Sequence, residues 1–346
     1  MLDLDRSDAA NLSVVRARYS ATVRELTRAE NTLRTYRTGW LHFLSWAQRF
    51  KVGVDHGIGE LDLLRYLHYW GNPSIERHGD DPLLAPSTLG TYLAGIRWAH
   101  IQEGRPWIGD TSDSLSETMD LLAVLQRDRA RAPKGKALVE PKLLAAVRNL
   151  TTETAASVRN RALLLVGFYA ALRREELVAL HFEDITVVDE EDDPLNPGVI
   201  VRVRSSKTDR RGSGVDVAVS RTWVDPDPVS ELQRWITVRG DHDGPLFTNI
   251  AGRGPRGRGD RFDAGLSGKS VGRVLKSAVD GIGEAPEKYS AHSLRAGFIT
   301  SAALAGVEPR LIKEQSRHKS YDMVDRYVHA ATSLRDNAVR KMHPRG

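Results

Sequence analysis

The chain has 346 residues, of which 40% are hydrophobic and 27% are charged, a balance that excludes a largely disordered protein. Its formal net charge of +5 favours anionic partners, with nucleic acid ahead of an acidic membrane surface. There is no cysteine, which excludes disulfides, thiolate catalysis and cysteine-ligated metal sites. The N-terminus shows no secretory signal, and the longest apolar run, residues 162–172, is too short to cross a bilayer. We therefore expect a soluble cytoplasmic protein.

Apolar periodicity predicts an all-helical first domain over residues 14–126, after a loose polar segment at 1–13. A capping box formed by Thr27 and Glu30 opens its first helix. The apolar face of that helix carries Leu33, Tyr36, Trp40, Leu44 and Ala47. The predicted helices cover residues 27–48, 61–69, 86–100 and 114–129.

Residues 127–136, RDRARAPKGK, are basic and contain a Pro and a Gly. Alone, such a run is most often a solvated charged segment, but its position between two folded segments favours an interdomain linker. A second domain is then predicted over residues 137–346. Its predicted helices cover 141–149, 157–171, 175–180, 270–279, 292–305, 309–316, 321–330 and 334–342.

One β-hairpin is predicted inside the second domain. Residues 199–204 and 215–219 alternate apolar with polar side chains on either side of the Gly-rich turn SSKTDRRGSG. A Gly- and Arg-rich loop is predicted at 251–268.

Several side chains in this second domain fit the chemistry of breaking a DNA phosphodiester without a metal. The reaction needs a nucleophile that stays bonded to phosphorus, which Ser or Tyr can provide. It also needs arginine and imidazole donors for the non-bridging oxygens, and an acid for the leaving oxygen. The candidates are Arg173, Lys207, His292, Arg295, His318 and Tyr327.

The motifs that carry these candidates resemble those of the tyrosine recombinase (phage integrase) family. HSLR is similar to the family's His-x-x-Arg box, ALRREELVAL to its first arginine box, and RHKSYDMVDRYVH to the box with the nucleophile. The segment AENTLRTYRTGWLHFLSWAQ looks like the core-binding domain of that family, and RSSKTDRRGSGVDVAVS looks like the hairpin of Cre-like members. The resemblance implies a mainly α fold with a small antiparallel β-sheet. In that fold a helical core-binding domain and an α+β catalytic domain form a clamp around DNA.

The resemblance also implies a role for each side chain. Tyr327 would attack the scissile phosphate and form a 3′-phosphotyrosine bond, while Arg173 and Arg295 hold the non-bridging oxygens. His292 and His318 would donate hydrogen bonds or move the proton of the nucleophile. Lys207 would protonate the 5′ leaving oxygen, and Glu176 would orient its neighbours. Neither a metal nor ATP is required, because the phosphotyrosine stores the bond energy.

Each of these residues has a structural alternative. A lone HxxR occurs often by chance, and the case depends on four boxes in the family's order. Tyr321 competes for the nucleophile, but the spacing from His318 and the following Val-His favour Tyr327. The pattern Leu-Arg-x-x-Glu favours Arg173 over Arg174, whereas Arg210 and Arg211 remain nearby competitors of Lys207. His329 is expected to be structural. The chain also departs from the family pattern, with Arg317 where some members have Gly and Ala170-Ala171 where Thr-Gly is frequent.

Basic and hydroxyl-bearing helix faces are the predicted DNA contacts. They consist of Arg34, Arg37, Ser87, Thr88, Thr91, Arg97, Lys269, Arg273 and Lys276. Arg273 is the strongest candidate for a base-edge reader, since an arginine fork on guanine is the commonest specific contact.

The resemblance further implies inverted-repeat DNA sites and a homotetramer linked through helix 334–342. The short stretch before residue 14 favours a simple recombinase over integrases with an arm-binding domain. Two alternatives remain: a type IB topoisomerase, which would act as a monomer without site preference, and a DNA-binding protein of recombinase descent that no longer cuts.

Overall fold

A computed structural model describes residues 30–54, 57–104, 107, 115–129, 136–193, 195–204, 213–250, 264–332 and 342. The chain divides into two compact units, Met1–Ala132 and Pro133–Gly346. Several predicted features lie outside the described residues: segment 1–13, Thr27, most of the linker, the turn with Lys207, most of loop 251–268, and helix 334–342 apart from Met342.

The described part of the first unit is helical. Its helices are α1 (Glu30–Arg49), α2 (Glu60–Gly71), α3 (Pro86–Gln102) and α4 (Ser116–Arg129). They enclose an aromatic-rich core that includes Phe43, Trp46, Tyr66, Trp70 and Ile96. The predicted apolar face of α1 is only half-buried over most of its length, because the core is centred on Phe43 and Trp46.

Helices α1 and α3 cross in close contact because each has a glycine at the crossing. A Cβ on Gly95 would lie 2.5 Å from the backbone oxygen of Tyr36, and one on Gly39 would lie 2.8 Å from the Cα of Tyr92. A side chain at either position would push the helices apart. The close crossing brings the polar faces of the two helices next to each other.

The described part of the second unit combines helices with one small sheet. Its helices are α5 (Glu140–Arg148), α6 (Ala155–Tyr169), α7 (Arg174–Val178), α8 (Pro228–Arg239), α9 (Gly268–Asp280), α10 (His292–Leu304), α11 (Pro309–Ser316) and α12 (Tyr321–Thr332). The strands are β1 (Ile185–Val188), β2 (Gly198–Val203) and β3 (Val215–Ser220). They pair antiparallel in the order β1-β2-β3, with Ile200 opposite Ala218.

Helix α6 forms the centre of this unit. Its residues from Ala162 to Val166 have no exposed surface, so the helix is buried on all sides. Arg161, near the middle of the helix, makes a buried ion pair with Glu231 of α8, with Nη2 2.7 Å from Oε1. Both side chains are less than a tenth exposed, and the second nitrogen, Nε, also donates to Glu231 at 2.9 Å. The fork satisfies both charges, as burial of an ion pair requires.

The predicted fold class is confirmed, as a mainly helical protein with a small antiparallel sheet. The structure adds β1 and α8 to the predicted elements. No helix among the described residues is long and apolar enough to pass through a membrane.

Candidate active site

Arg173 lies in the turn between α6 and α7. The turn is tight, since Ala171 adopts a left-handed φ of +46°. The Glu176 carboxylate accepts from the Arg173 backbone N–H at 2.9 Å and from its Nη1 at 2.6 Å. Glu176 thereby caps α7 and holds the Arg173 guanidinium at once. The side chain of Arg173 is 26% exposed, so it is open to a ligand, whereas that of Glu176 is 3% exposed.

Arg295 reaches the same turn from α10, and only 1% of its surface is exposed. Its Nη1 donates to the backbone oxygen of Ala171 at 2.6 Å, and its Nη2 donates to the backbone oxygen of Ser316. A guanidinium has five N–H groups, so these two bonds leave donors for an anion. Burial, and then the positive charges of Arg173 and Arg317, lower the pKa of Arg295.

His292 and Tyr327 approach each other from α10 and α12. His292 Nε2 and Tyr327 Oη are 3.3 Å apart, within hydrogen-bonding reach. Tyr327 packs against a small apolar cluster that contains Ile299, Ile312 and Val324. That cluster fixes α12 on α10 and α11, which directs the phenol to the imidazole of its own chain.

His318 lies just after α11. Its Nδ1 is 2.7 Å from the hydroxyl of Ser316, which is fully buried. Burial is the main cause that lowers the pKa of His318 to about 4, and nearby positive charges, Arg295 first, add to it. Burial and the charges of Arg295 and Arg173 also lower the pKa of His292. Both imidazoles are therefore neutral near pH 7 in the free protein.

A third arginine, Arg317, enters this cluster, and the sequence did not indicate it as a functional residue. Its Nη2 donates to Glu176 Oε2 at 2.9 Å and to the backbone oxygen of Ala171 at 3.1 Å. The only signal in the sequence is its position directly before His318, where some family members have Gly. Ser316, which orients His318 and accepts from Arg295, was missed in the same way.

The cluster therefore contains three guanidiniums, two neutral imidazoles and one carboxylate. Glu176 pairs with both Arg173 and Arg317, but one carboxylate cannot balance three guanidiniums. At neutral pH the net charge of these groups is therefore positive. Such a set of convergent donors is suited to an oxyanion with delocalised charge, such as a phosphodiester in its transition state.

The structure brings six predicted site residues into one connected cluster: Arg173, Glu176, His292, Arg295, His318 and Tyr327. Lys207, Arg210 and Arg211 lie outside the described residues.

The competitors that lie among the described residues have other contacts. The Lys313 ammonium lies over the ring of Tyr321, with Nζ 4.2 Å from the ring centroid. Arg174 makes an exposed ion pair with Glu175 at 2.9 Å. His329 is exposed at the end of α12.

The predicted DNA contacts fall on two surfaces. In the first unit, a groove of about 500 Å³ is lined by Arg34, Thr35, Thr38, Ser87, Thr88, Thr91 and Tyr92. Arg37 and Arg97 are exposed on the same two helices, α1 and α3. In the second unit, Lys269, Arg273 and Lys276 are exposed along α9, where Arg273 Nη2 donates to Ser270 Oγ at 3.0 Å.

Comparison with known proteins agrees with this geometry. The sequence profile described as the phage integrase family matches residues 138–333. The chain is 29% identical over 325 residues to the integrase/recombinase xerD homolog of Selenomonas ruminantium, covering 92% of this chain and 87% of that protein.

Two solved structures share its fold. The first is the XerH site-specific recombinase bound to a palindromic difH substrate in a post-cleavage complex, with a TM-score of 0.62 and 17% identity over 89% of this chain and 78% of that one. The second is the Tn1549 transposon integrase in complex with transposon right end DNA, with a TM-score of 0.55 and 13% identity over 95% of this chain and 99% of that one. The profile match covers more than half of the chain, so the protein belongs to the phage integrase family and is a site-specific tyrosine recombinase.

Proposed function

We propose that this recombinase cuts DNA by attack of the Tyr327 phenol on the scissile phosphorus, which forms a 3′-phosphotyrosine bond and releases a 5′ hydroxyl. The proposal rests on the distance of 3.3 Å between Tyr327 Oη and His292 Nε2. His292 lies on α10, the helix that also supplies Arg295. The neutral imidazole can accept the phenolic proton as the oxygen attacks. Because nucleophile and imidazole belong to one chain, the attack occurs within a protomer.

The arginines have separate tasks in this proposal. Arg173 is partly exposed and binds one non-bridging oxygen from the open side, while the buried Arg295 binds from the protein interior. As the transition state gains negative charge on those oxygens, both interactions strengthen. In the tautomer whose Nδ1 accepts from the Ser316 hydroxyl, His318 supplies a further N–H through Nε2.

Lys207 remains the proposed acid for the 5′ leaving oxygen, on the basis of its place in the hairpin turn after β2. Reversal of the same chemistry with a 5′ hydroxyl from a second duplex joins new strands. We propose that one pair of strands is exchanged first, through a Holliday junction, and the second pair afterwards. The phosphotyrosine conserves the bond energy, so neither ATP nor a metal ion is needed.

We propose that two surfaces bind DNA. The groove between α1 and α3 presents hydroxyls and the Arg34 guanidinium, which suits contacts to phosphates and sugars. Helix α9 presents Arg273 between two lysines, which suits one base-edge contact flanked by phosphate contacts. Gly272 on this helix has open space at its Cβ position, so the backbone is accessible to a closely approaching ligand.

The partner is proposed to be a DNA site with inverted repeats, bound by four protomers on two sites. The XerH relative is described with a palindromic substrate. A groove of about 510 Å³ in the second unit, with apolar walls at Val217, Phe298 and Leu311, could receive an amphipathic helix such as the predicted 334–342. Light scattering of the assembled DNA complex measures the stoichiometry, and a final state with one protomer per duplex would contradict this proposal.

The nucleophile can be tested by covalent trapping. On a nicked duplex from a randomised library, cleavage releases the short fragment that carries the new 5′ hydroxyl, so the 3′-phosphotyrosine adduct cannot religate and accumulates. We expect the wild-type chain to form the adduct in excess EDTA without nucleotide, and Tyr327→Phe to form none, since it lacks the attacking oxygen.

Tyr321→Phe is the matched control, because it removes a phenol from the same helix, and it should form the adduct at the wild-type rate. DNA affinity should be unchanged in both variants. An adduct with Tyr327→Phe, or strict dependence of wild-type cleavage on Mg²⁺, would refute the mechanism.

A further inference from the structure

Arg317 has a backbone and an environment that are costly for an arginine. It ends α11 with a left-handed φ of +55°, a conformation that favours glycine. Its side chain is 9% exposed, and its Nε is buried without a hydrogen-bond partner among the described residues. Both features lower the stability of the fold, so neither of them explains why this position holds an arginine.

Within the described part of the chain, Arg317 makes four hydrogen bonds, of which the two from Nη2 lead to the active-site arginines. Nη1 donates to the backbone oxygens of Ala170 and Gln315, at 3.0 Å each. Nη2 donates to the Glu176 carboxylate, whose other oxygen holds Arg173. The same Nη2 donates to the backbone oxygen of Ala171, which also accepts from Arg295. Arg317 is therefore one hydrogen-bonded group away from each arginine proposed to hold the phosphate.

We propose that Arg317 is a positioning residue that fixes Arg173 through the shared carboxylate of Glu176. It keeps that carboxylate ionised and orients it, so that the Arg173 guanidinium points to the phosphate before DNA arrives. Glycine at this position would fit the backbone but would leave Glu176 with one cationic partner in place of two. This inference rests on the proposed function for its effect on the reaction.

The charges around Glu176 predict how its pKa responds to the loss of Arg317. Arg173 faces it from its own turn, Arg317 from the end of α11, and Arg295 from α10. The pKa of Glu176 is lowered despite burial, which acts in the opposite direction, because the bonds and charges of Arg173 and Arg317 together outweigh burial. Loss of Arg317 removes one of these and raises the pKa of Glu176.

The first measurement is the rate of adduct formation on a nicked duplex chosen from the trapped library. We expect Arg317→Gly to fold and to bind DNA with an unchanged half-saturating concentration. Its first-order rate at saturating DNA should fall about 10- to 100-fold, as for a misplaced catalytic group. The acid limb of its pH–rate profile should move to higher pH, because loss of Arg317 raises the pKa of Glu176 and also removes a charge that lowers the pKa of His318. Arg317→Lys keeps the charge without the fork, and should restore the pH profile but only part of the rate.

The controls separate a positioning role from a general loss of stability. Arg310→Ala removes an exposed arginine of α11 that pairs with Glu314 at 2.7 Å, and should match the wild type. When Glu176 is already replaced by Gln, adding Arg317→Gly should lower the rate of adduct formation by less than about twofold. The two residues act through one interaction, which Glu176→Gln has already removed. A wild-type rate in Arg317→Gly, or an undiminished loss in the Glu176→Gln background, would overturn the inference. If Arg317→Gly does not fold, Arg317→Lys decides by the same criteria.

A second readout does not depend on cleavage. The ¹³C chemical shift of the Glu176 carboxyl, followed against pH by NMR, should show a higher pKa in Arg317→Gly than in the wild type. An unchanged titration would contradict the link between the two residues. If the wild type forms no adduct while this titration does shift, the proposed function fails and the link stands. If the wild type forms adducts and Arg317→Gly matches it, only the positioning role fails.

Discussion

Arg173 and Arg295 differ in how much each contributes to the stability of the folded chain. Arg295 is buried and bonds two backbone carbonyls from different segments, Ala171 and Ser316, so its removal leaves acceptors unpaired. Arg173 is partly open and bonds one carboxylate. Loss of Arg295 should therefore reduce both stability and catalysis, whereas loss of Arg173 should reduce mainly catalysis.

We expect Arg173→Ala and Arg295→Ala each to cost about 3 kcal/mol or more of transition-state stabilisation. The measurement is the rate of adduct formation, with thermal melting on the same samples to detect unfolding. Arg174→Ala is the matched control, since its exposed side chain pairs only with Glu175 among the contacts described. Cleavage by Arg173→Ala at close to the wild-type rate would reject its role at the phosphate.

The histidines give the reaction a predictable acid limit. The pKa of His318 is lowered to about 4 and that of His292 is lowered as well, so both are neutral from pH 8 down to their usual value of about 6.5. The second-order rate constant of adduct formation reports the free protein. It should stay flat over that range and fall only at lower pH, as His292 becomes protonated and cannot accept a proton.

The free energy of unfolding should depend on pH in the same direction as the rate. Since the folded pKa values are lower than the unfolded ones, the unfolded chain binds protons first as pH falls. The free energy of unfolding should decline from about pH 6.5 downward on this account. A rate that begins to fall near pH 8 would show that these imidazoles are not the groups that titrate.

Side-chain roles were predictable from sequence only as far as the motifs reach. The order of the boxes indicated Arg173, His292, Arg295, His318 and Tyr327, and the fold places them in one cluster. In the sequence, Arg317 is visible only as a departure from the family pattern, which predicts local effects. Its contact with Glu176 spans 141 positions of sequence, and no periodicity or spacing carries such a contact.

At the scale of elements, the missed helix and the missed strand have different causes. Helix α8 had a recognisable start, since Asp227 accepts from Ser230 N–H at 2.8 Å and Pro228 occupies the first position. Strand β1 has only four residues, with half-buried ends and an exposed middle, so no alternation marked it. The hairpin β2–β3 was predictable because apolar and polar residues alternate in its sequence around a Gly-rich turn, and burial alternates after the first residue of each strand.

Helix α10 is tightly covered by the segment before α5. A Cβ on Gly297 would lie 2.0 Å from the backbone oxygen of Leu138, and the Leu138 N–H donates to the backbone oxygen of Ser293 at 3.1 Å. We expect Gly297→Ala to lower the free energy of unfolding by about 1–3 kcal/mol through overpacking, measured by chemical denaturation.

Gly272→Ala is the matched control for Gly297→Ala. It replaces a helical glycine whose Cβ position is open, and should raise stability by up to about 1 kcal/mol through helix propensity. Equal effects of the two substitutions would mean that the contact between Leu138 and α10 is not tight. Gly297→Ala should also slow cleavage, because Gly297 follows Arg295 by two residues on the same helix.

At the scale of the whole molecule, the formal charge of +5 and the basic helix faces predict salt-sensitive DNA binding. Substitution of both Arg34 and Arg37 by Ala should weaken binding to all sequences alike and reduce the slope of log K against log salt by about 2. Arg273→Ala should instead relax the preference for one base pair, by about 1–3 kcal/mol.

These effects can be measured by titration of labelled duplexes at several salt concentrations, with Arg310→Ala as the control arginine. If Arg273→Ala weakens all sequences uniformly, Arg273 contacts phosphate and not a base. If the double variant keeps the wild-type salt slope, the groove between α1 and α3 does not bind the DNA backbone.

The packing of residues 136–139 determines where an excised catalytic fragment can begin. Lys136 pairs with Glu284 at 2.8 Å, and its N–H donates to the backbone oxygen of Lys288 at 2.7 Å. A truncation that starts at Lys136 keeps this cover over α10, whereas one that starts at Glu140 strips it and bares Gly297 to water. Residues 136–139, which begin at the last residue of the predicted linker, are thus part of the packed catalytic unit.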